Sequence, residues 1–118
     1  MTDSAYADLV GLLLSHTLRF GTELQLQNDV EEILTAAGIA FIREHRLAGD
    51  RIDFLAGRVG IECKVGGGPS AVPEQLLRYA LRPELDALIL VTSKHTHRFR
   101  FQELNGKPFR VVWVAGRL

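Results

Sequence analysis

The amino-acid sequence predicts an α/β domain, a mixed β-sheet flanked by helices, and three observations carry that expectation. Three short runs rich in β-branched and apolar residues follow one another mid-chain: "IAFIREHRL", "RIDFLA" and "VGIECKV". Segments with helical patterning lie before and after them. A wholly apolar run, "DALILVTS", then reads as a central strand, and "FRVVWVA" as another. The order is an N-terminal helix, then helix, three strands, helix, strand, a connection and a strand.

Each element has a local reason. "YADLVGLLLSHTLRF" is apolar at close spacing and predicts a helix ending at Gly21, which lacks a Cβ. Thr22 is a suitable N-cap for a second helix running to Gly38. After the three strand runs, Gly66 to Gly68 with Pro69 and Ser70 break the pattern. "SAVPEQLLRYAL" predicts a helix with Pro73 in its first turn, where a missing amide hydrogen costs nothing, and Pro83 stops it. "HTHRFRFQELNG" is ambiguous, and a short helix or turn is the expectation.

With 118 residues the chain suits one domain with its own core. Its 47% hydrophobic and 24% charged residues exclude disordered, collagenous and membrane classes. "LVGLLLS" is too short to span a bilayer, no charged-then-apolar leader opens the chain, and one cysteine cannot form an internal disulfide. The expectation is a protein of the reducing cytoplasm with no membrane partner. Cys63 falls on the apolar side of its strand and reads as a packed core thiol. Net charge is zero, yet residues 1–35 hold six acids and one base, whereas residues 94–118 hold six bases and one acid. Such segregation suits an anion-binding site built around cations, and is also common on ordinary surfaces.

The chemistry concentrates in "RIDFLAGRVGIECKVGGG". Gly57 and Arg58 match a II′ hairpin turn, which pairs 56 with 59, 55 with 60, 54 with 61 and Asp53 with Glu62. The two carboxylates then stand about 5 Å apart at Cβ, with Lys64 on the same face as Glu62. Like charges facing each other destabilise a sheet, so the pair needs a cation or a raised pKa. A hard divalent ion meets that need, since magnesium takes oxygen ligands and keeps waters. The alternative is a solvated pair at a sheet edge, bridged by Lys64 as an ordinary ion pair.

Glu23 falls at about 20° from the apolar stripe of the second helix, among Leu26, Val30, Ile33, Leu34 and Ala37. It either complements the helix dipole or points at Asp53 and Glu62 as a third carboxylate. On the third helix, Gln75, Arg78, Tyr79 and Arg82 span about 100° of arc, opposite Leu76, Leu77, Ala80 and Leu81. This arc reads as a solvated face or, beginning just after Glu-x-Lys, as a face for phosphate.

"GDRIDFLAGRVGIECKVGGG" followed by "EQLLRYA" resembles the PD-(D/E)xK nuclease superfamily, especially its small RecB-like and VRR-NUC members. Asp53 matches the motif aspartate, Glu62 and Lys64 the Glu-x-Lys, Gln75 and Tyr79 the helix motif, and Glu23, followed by Gln27, the first-helix glutamate. The resemblance covers roughly residues 22–93. It departs from the pattern at Ile52, which replaces the eponymous proline, and it gives the N-terminal helix no role, leaving that leucine-rich face as a dimer contact or a lid on the core.

The resemblance implies a restriction-endonuclease-like core, α-β-β-β-α-β, with an extra N-terminal helix. Residues 1–118 would form one nuclease domain: 1–21 a helical extension, 22–93 the core and 94–118 a basic strand region. It also implies Mg²⁺-dependent phosphodiester hydrolysis, with Mn²⁺ able to substitute. Asp53, Glu62, the Cys63 carbonyl and Glu23 would hold the metal, Lys64 would position the attacking water, and Gln75 would fix Lys64 or the scissile phosphate. Arg78, Tyr79, Arg82 and Lys94 would contact DNA. So small a core offers little DNA-binding surface, which points to a homodimer, a larger oligomer or a protein partner. A non-cleaving nucleic-acid binding module is the rival, against which the intact Asp53, Glu62 and Lys64 argue. Trp113, Phe99 and Phe101 read as core rather than base-stacking residues, and His95 with His97 lacks a third metal ligand.

Overall fold

The computed structural model, which describes residues 2–65, 72–94 and 102–114, builds one mixed six-stranded sheet and packs helices on both of its faces. The helices are α1 (Thr2–Leu14), α2 (Glu23–Ala36) and α3 (Val72–Ala80). The strands are β1 (Ile42–Leu47), β2 (Asp50–Ala56), β3 (Val59–Lys64), β4 (Ala87–Thr92), β5 (Glu103–Leu104) and β6 (Lys107–Trp113), in spatial order β1-β2-β3-β4-β6-β5. β1, β2 and β3 form an antiparallel meander, β3, β4 and β6 run parallel, and β5 returns antiparallel to β6. β4 is buried throughout, as an all-apolar central strand requires. Among the described residues, no helix is long and apolar enough to cross a membrane.

Local chemistry sets the boundaries. The Thr22 side chain accepts the Gln25 N–H at 3.0 Å and starts α2. Gly38, at φ 72°, ends it: the Gly38 N–H donates to the Thr35 carbonyl and the Ile39 N–H to that of Leu34, the paired bonds of a Schellman motif. α1, however, stops at Leu14 rather than running to Gly21. The Ser15 hydroxyl donates to the Leu12 carbonyl at 2.8 Å, and His16 Nδ1 lies 2.8 Å from the same oxygen, closing the last turn with side chains. The chain beyond is claimed by α2: Asp29 accepts the Arg19 backbone N–H at 2.7 Å and its guanidinium at 2.6 Å.

The hairpin register is the expected one from Ala56–Val59 to Phe54–Ile61, but the ladder ends there and the expected Asp53–Glu62 pair is not part of it; only the first turn residue, Gly57 at φ 62°, has positive φ. The segment before β6 is not the expected helix or turn alone. Glu103–Leu104 is a strand, joined to β6 through Asn105 and Gly106 at φ 51° and 75°, the two positive φ values of a type I′ turn. The glycine run at 66–68, His95, His97, Phe99 and Phe101 lie outside the described residues.

Two apolar clusters divide the core by sheet face. One joins Leu9, Val10 and Leu13 of α1 and Leu26, Val30 and Leu34 of α2 to Phe54, Ile61, Cys63 and Ile89. The leucine-rich face of α1 is thus a lid on the core. The other joins Leu76 and Tyr79 of α3 to Leu47, Ile52, Leu55, Leu88 and Leu90. Gly60 faces this second cluster, where an added Cβ would collide with Ile52.

One irregularity prepares the site. Ile52 and Phe54, two apart in β2, pack on opposite faces, although strand side chains two apart share a face. β1 reverses likewise: Arg43 reaches α2, whereas Leu47 packs on the α3 side. The switch falls where Glu44 would face Asp53, the one position skipped in the β1–β2 ladder, and Glu44 has φ 56°. Both strands reverse together, so the register is kept.

Candidate active site

Asp53 occupies the point where β2 leaves β3. The β2–β3 ladder runs from Ala56–Val59 to Phe54–Ile61, after which residues 50–52 pair only with β1 and residues 62–64 continue beside β4. At this fork the side chains replace the ladder. The Asp53 N–H donates to Glu62 Oε1 at 3.1 Å, and the Cys63 N–H donates to Asp53 Oδ2 at 2.8 Å. Asp53 and Glu62 therefore meet as the hairpin register implies, but each is bound to the other strand's backbone rather than simply facing its partner across a regular sheet. Lys64 Nζ lies 3.3 Å from Glu62 Oε2.

These acids are not solvated at an edge. Glu62 is 3% exposed. Burial pushes its carboxyl up to about 8, the Asp53 charge adds to the rise, and Lys64 opposes it. Burial also raises Asp53; the Cys63 N–H opposes this, the Glu23 charge adds to it, and Lys64 and Gln27 act against it. One lysine thus serves two desolvated carboxylates. Cys63 is a buried core thiol, as expected, pushed up by burial and then by the charges of Asp53, Glu62 and Glu23.

Other expected site residues fall differently. Glu23 is exposed rather than core-facing: it is the first residue of α2, next to Leu24, itself 61% exposed. Its charge still acts on Asp53. Among the described residues, no group of three or more His, Cys, Asp or Glu side chains is arranged to hold a metal, so any cation here rests on the Asp53–Glu62 pair.

The phase of α3 differs from the expected polar arc. Val72, Leu76, Tyr79 and Ala80 form the buried stripe, while Leu77 and Leu81 are exposed. Tyr79 is fully buried and donates its hydroxyl to the Arg51 carbonyl at 2.8 Å, so it ties α3 to β2 and is withheld from nucleic acid. Burial, then the nearby charges of Glu62 and Asp53, push its phenol upward. Arg78 is committed to Asp50 through bonds of 2.9 and 3.0 Å. Arg82 Nε lies 3.5 Å from Glu84, and Gln75 is half-buried with no hydrogen bond to Lys64 among the described residues. Lys94 lies two residues past Thr92, which pairs with Lys64, and so stands at the same end of the sheet as the acid pair.

Two residues that the sequence reading gave no site role stand beside the fork. Gln27 acts on the Asp53 carboxyl, opposing its rise, and Arg43 donates to Gln27 Oε1 at 3.1 Å. The signals were there: Gln27 is four residues after Glu23 on α2, and Arg43 shares the strand face of Phe41. No family model, curated protein or solved structure matches this chain.

Proposed function

We propose that this domain is a metal-dependent nuclease that hydrolyses DNA phosphodiester bonds, with a restriction-endonuclease-like core of the PD-(D/E)xK type. The observation that carries the reading is the meeting of Asp53 and Glu62 at the β2–β3 fork with Lys64 as their shared cation. A scaffold gains nothing from burying two carboxylates with one lysine; a divalent cation turns their repulsion into binding energy.

The donor set suits that cation. Carboxylate oxygens match Mg²⁺, with Mn²⁺ able to replace it, and a two-carboxylate site leaves positions for water and a phosphate oxygen. Asp53 and Glu62 would hold the ion with the Cys63 carbonyl, and exposed Glu23 would reach it through water. When bound, the ion lowers the pKa of a water and screens charge on the phosphorus. Lys64 orients the attacking water and stabilises the negative charge that develops in the transition state. Gln75 binds the scissile phosphate, and Arg82 and Lys94 contact the flanking backbone. Arg78 and Tyr79 take no part, being held by Asp50 and the Arg51 carbonyl.

The commitment of Arg78 to Asp50 and of Arg58 to Asp86 favours a partner-dependent form of the same activity, in which a second copy or another chain completes the DNA-binding surface. The test is cleavage of linear, nicked, flapped, forked and four-way DNA with Mg²⁺, Mn²⁺ or EDTA, beside Lys64→Ala. Metal-dependent cutting that is lost in Lys64→Ala is expected. A folded protein that binds these substrates and cuts none of them, alone or as a dimer, overturns the nuclease reading in favour of a binding module.

A further inference from the structure

Arg43 lies opposite Phe54 in the β1–β2 ladder, one position from Asp53, with its guanidinium carbon 5.7 Å from the Phe54 ring centre. Its Nη1 donates to Asn28 Oδ1 and Glu31 Oε1, both at 3.0 Å, and its Nη2 to Gln27 Oε1 at 3.1 Å. All three acceptors belong to α2. A tie between β1 and α2 requires only the Glu31 ion pair, so the bond to Gln27 calls for its own account.

Donor chemistry supplies it. A guanidinium donates and never accepts, so the Gln27 amide must present its oxygen to Arg43. The nitrogen end is then left to turn toward β2, where Asp53 adjoins the Arg43–Phe54 pair and where Gln27 acts on the Asp53 carboxyl. Rotated the other way, the amide would aim its oxygen at a carboxylate and its nitrogen at a cation. We propose that Arg43 is a positioning residue, which fixes the Gln27 amide so that its N–H groups face Asp53 and hold that carboxylate toward the cation site. The consequence for metal rests on the reading of Asp53 and Glu62 as ligands; the orientation of the amide does not. Neighbours that orient a metal ligand commonly set affinity by 10–100-fold.

Two measurements on the 118-residue chain separate these points. In the metal-free protein, the Gln27 side-chain amide signals in a ¹⁵N–¹H spectrum are expected to be well separated and slow to exchange. They stay so in Arg43→Lys, which also only donates, and collapse toward solvent-exposed values in Arg43→Met. Unchanged Gln27 signals in Arg43→Met overturn the proposal. If Arg43→Met does not fold, the comparison passes to Arg43→Gln, whose amide can accept as well as donate and is expected to release Gln27; unchanged signals there overturn it equally.

Mn²⁺ affinity, read from the free-ion electron paramagnetic resonance signal, is expected to fall about 10–100-fold in Arg43→Met and in Gln27→Met, with no further loss in the double variant. Glu31→Gln, which removes the ion pair and spares the Gln27 contact, is expected to bind Mn²⁺ as the unaltered protein does. An equal loss in Glu31→Gln overturns the proposal and makes Arg43 a plain tie between β1 and α2. A wild-type protein that binds no Mn²⁺ overturns the cation-site reading alone, and the amide spectra still decide the role of Arg43.

Discussion

At the loop between α1 and α2, Asp29 meets the Arg19 guanidinium and backbone N–H, and those hydrogen bonds hold its carboxyl below the ordinary 3.8. At the fork between β2 and β3, Glu62 also has a backbone N–H and a cation, yet its carboxyl rises to about 8. The difference lies in desolvation and in the second acid. Asp29 has a guanidinium to itself, while Glu62 shares one ammonium with Asp53 in a site nearly closed to water. The clamp uses charge to hold the fold; at the fork charge is costly, and the fold favours the protonated Glu62.

The comparison breaks most visibly in activity. Lys64→Ala and Asp53→Asn are expected to lower single-turnover DNA cleavage by at least about 10²–10³-fold, the usual loss of a transition-state charge partner. Asp29→Asn is expected to leave the rate of the folded protein unchanged. Equal losses at both places would erase the distinction.

Stability against pH separates the two acids by sign. The folded-state pKa of Glu62 is raised, so its contribution is full below the unfolded value of 4.5 and is lost as pH rises toward about 8. Urea titration of the metal-free protein should therefore show stability falling between pH 5 and 8, by at most about 1.4 kcal/mol per pH unit for one proton, and Glu62→Gln should flatten that limb. The folded-state pKa of Asp29 is lowered, so its contribution is present above 3.8 and lost on further acidification; Asp29→Asn should remove part of the acid limb instead.

Gly60 sharpens the comparison from the core. A methyl there meets Ile52, the first β2 residue beyond the fork on that face, as well as Leu85 and Leu88 at 3.1 Å. Gly60→Ala is expected to cost about 1–3 kcal/mol in urea unfolding and to weaken Mn²⁺ binding by displacing β2. Thr22→Ala is expected to cost about 1 kcal/mol in urea unfolding through its lost cap.

What the sequence made legible was local. The register around Gly57 and Arg58, the Thr22 cap, the Gly38 terminus and the buried run of β4 depend on turn geometry, caps and continuous apolarity. The Asp53–Glu62 meeting followed from that register. The face reversal at Glu44 and Asp53 did not, because it is a tertiary compromise between two cores that no single strand pattern encodes. Tyr79 looked polar on a helical wheel, but its ring fills the α3 stripe once its hydroxyl finds the Arg51 carbonyl. The Asn105–Gly106 pair carried a hairpin signal that the charged segment before it obscured. The pairing of Gln27 with Arg43 was not legible, since polar side chains that serve each other leave no trace in hydropathy.

The reversal at Glu44 also bears on association. β1 is an outer strand of the sheet, and an outer strand with a continuous row of free backbone groups invites another sheet to add to it. A left-handed residue in mid-strand interrupts that row, and Glu44 and Arg46 add exposed charge along it. β5, on the far side, is two residues long. The kink beside Asp53 thus also works against edge-to-edge pairing of the sheet through β1.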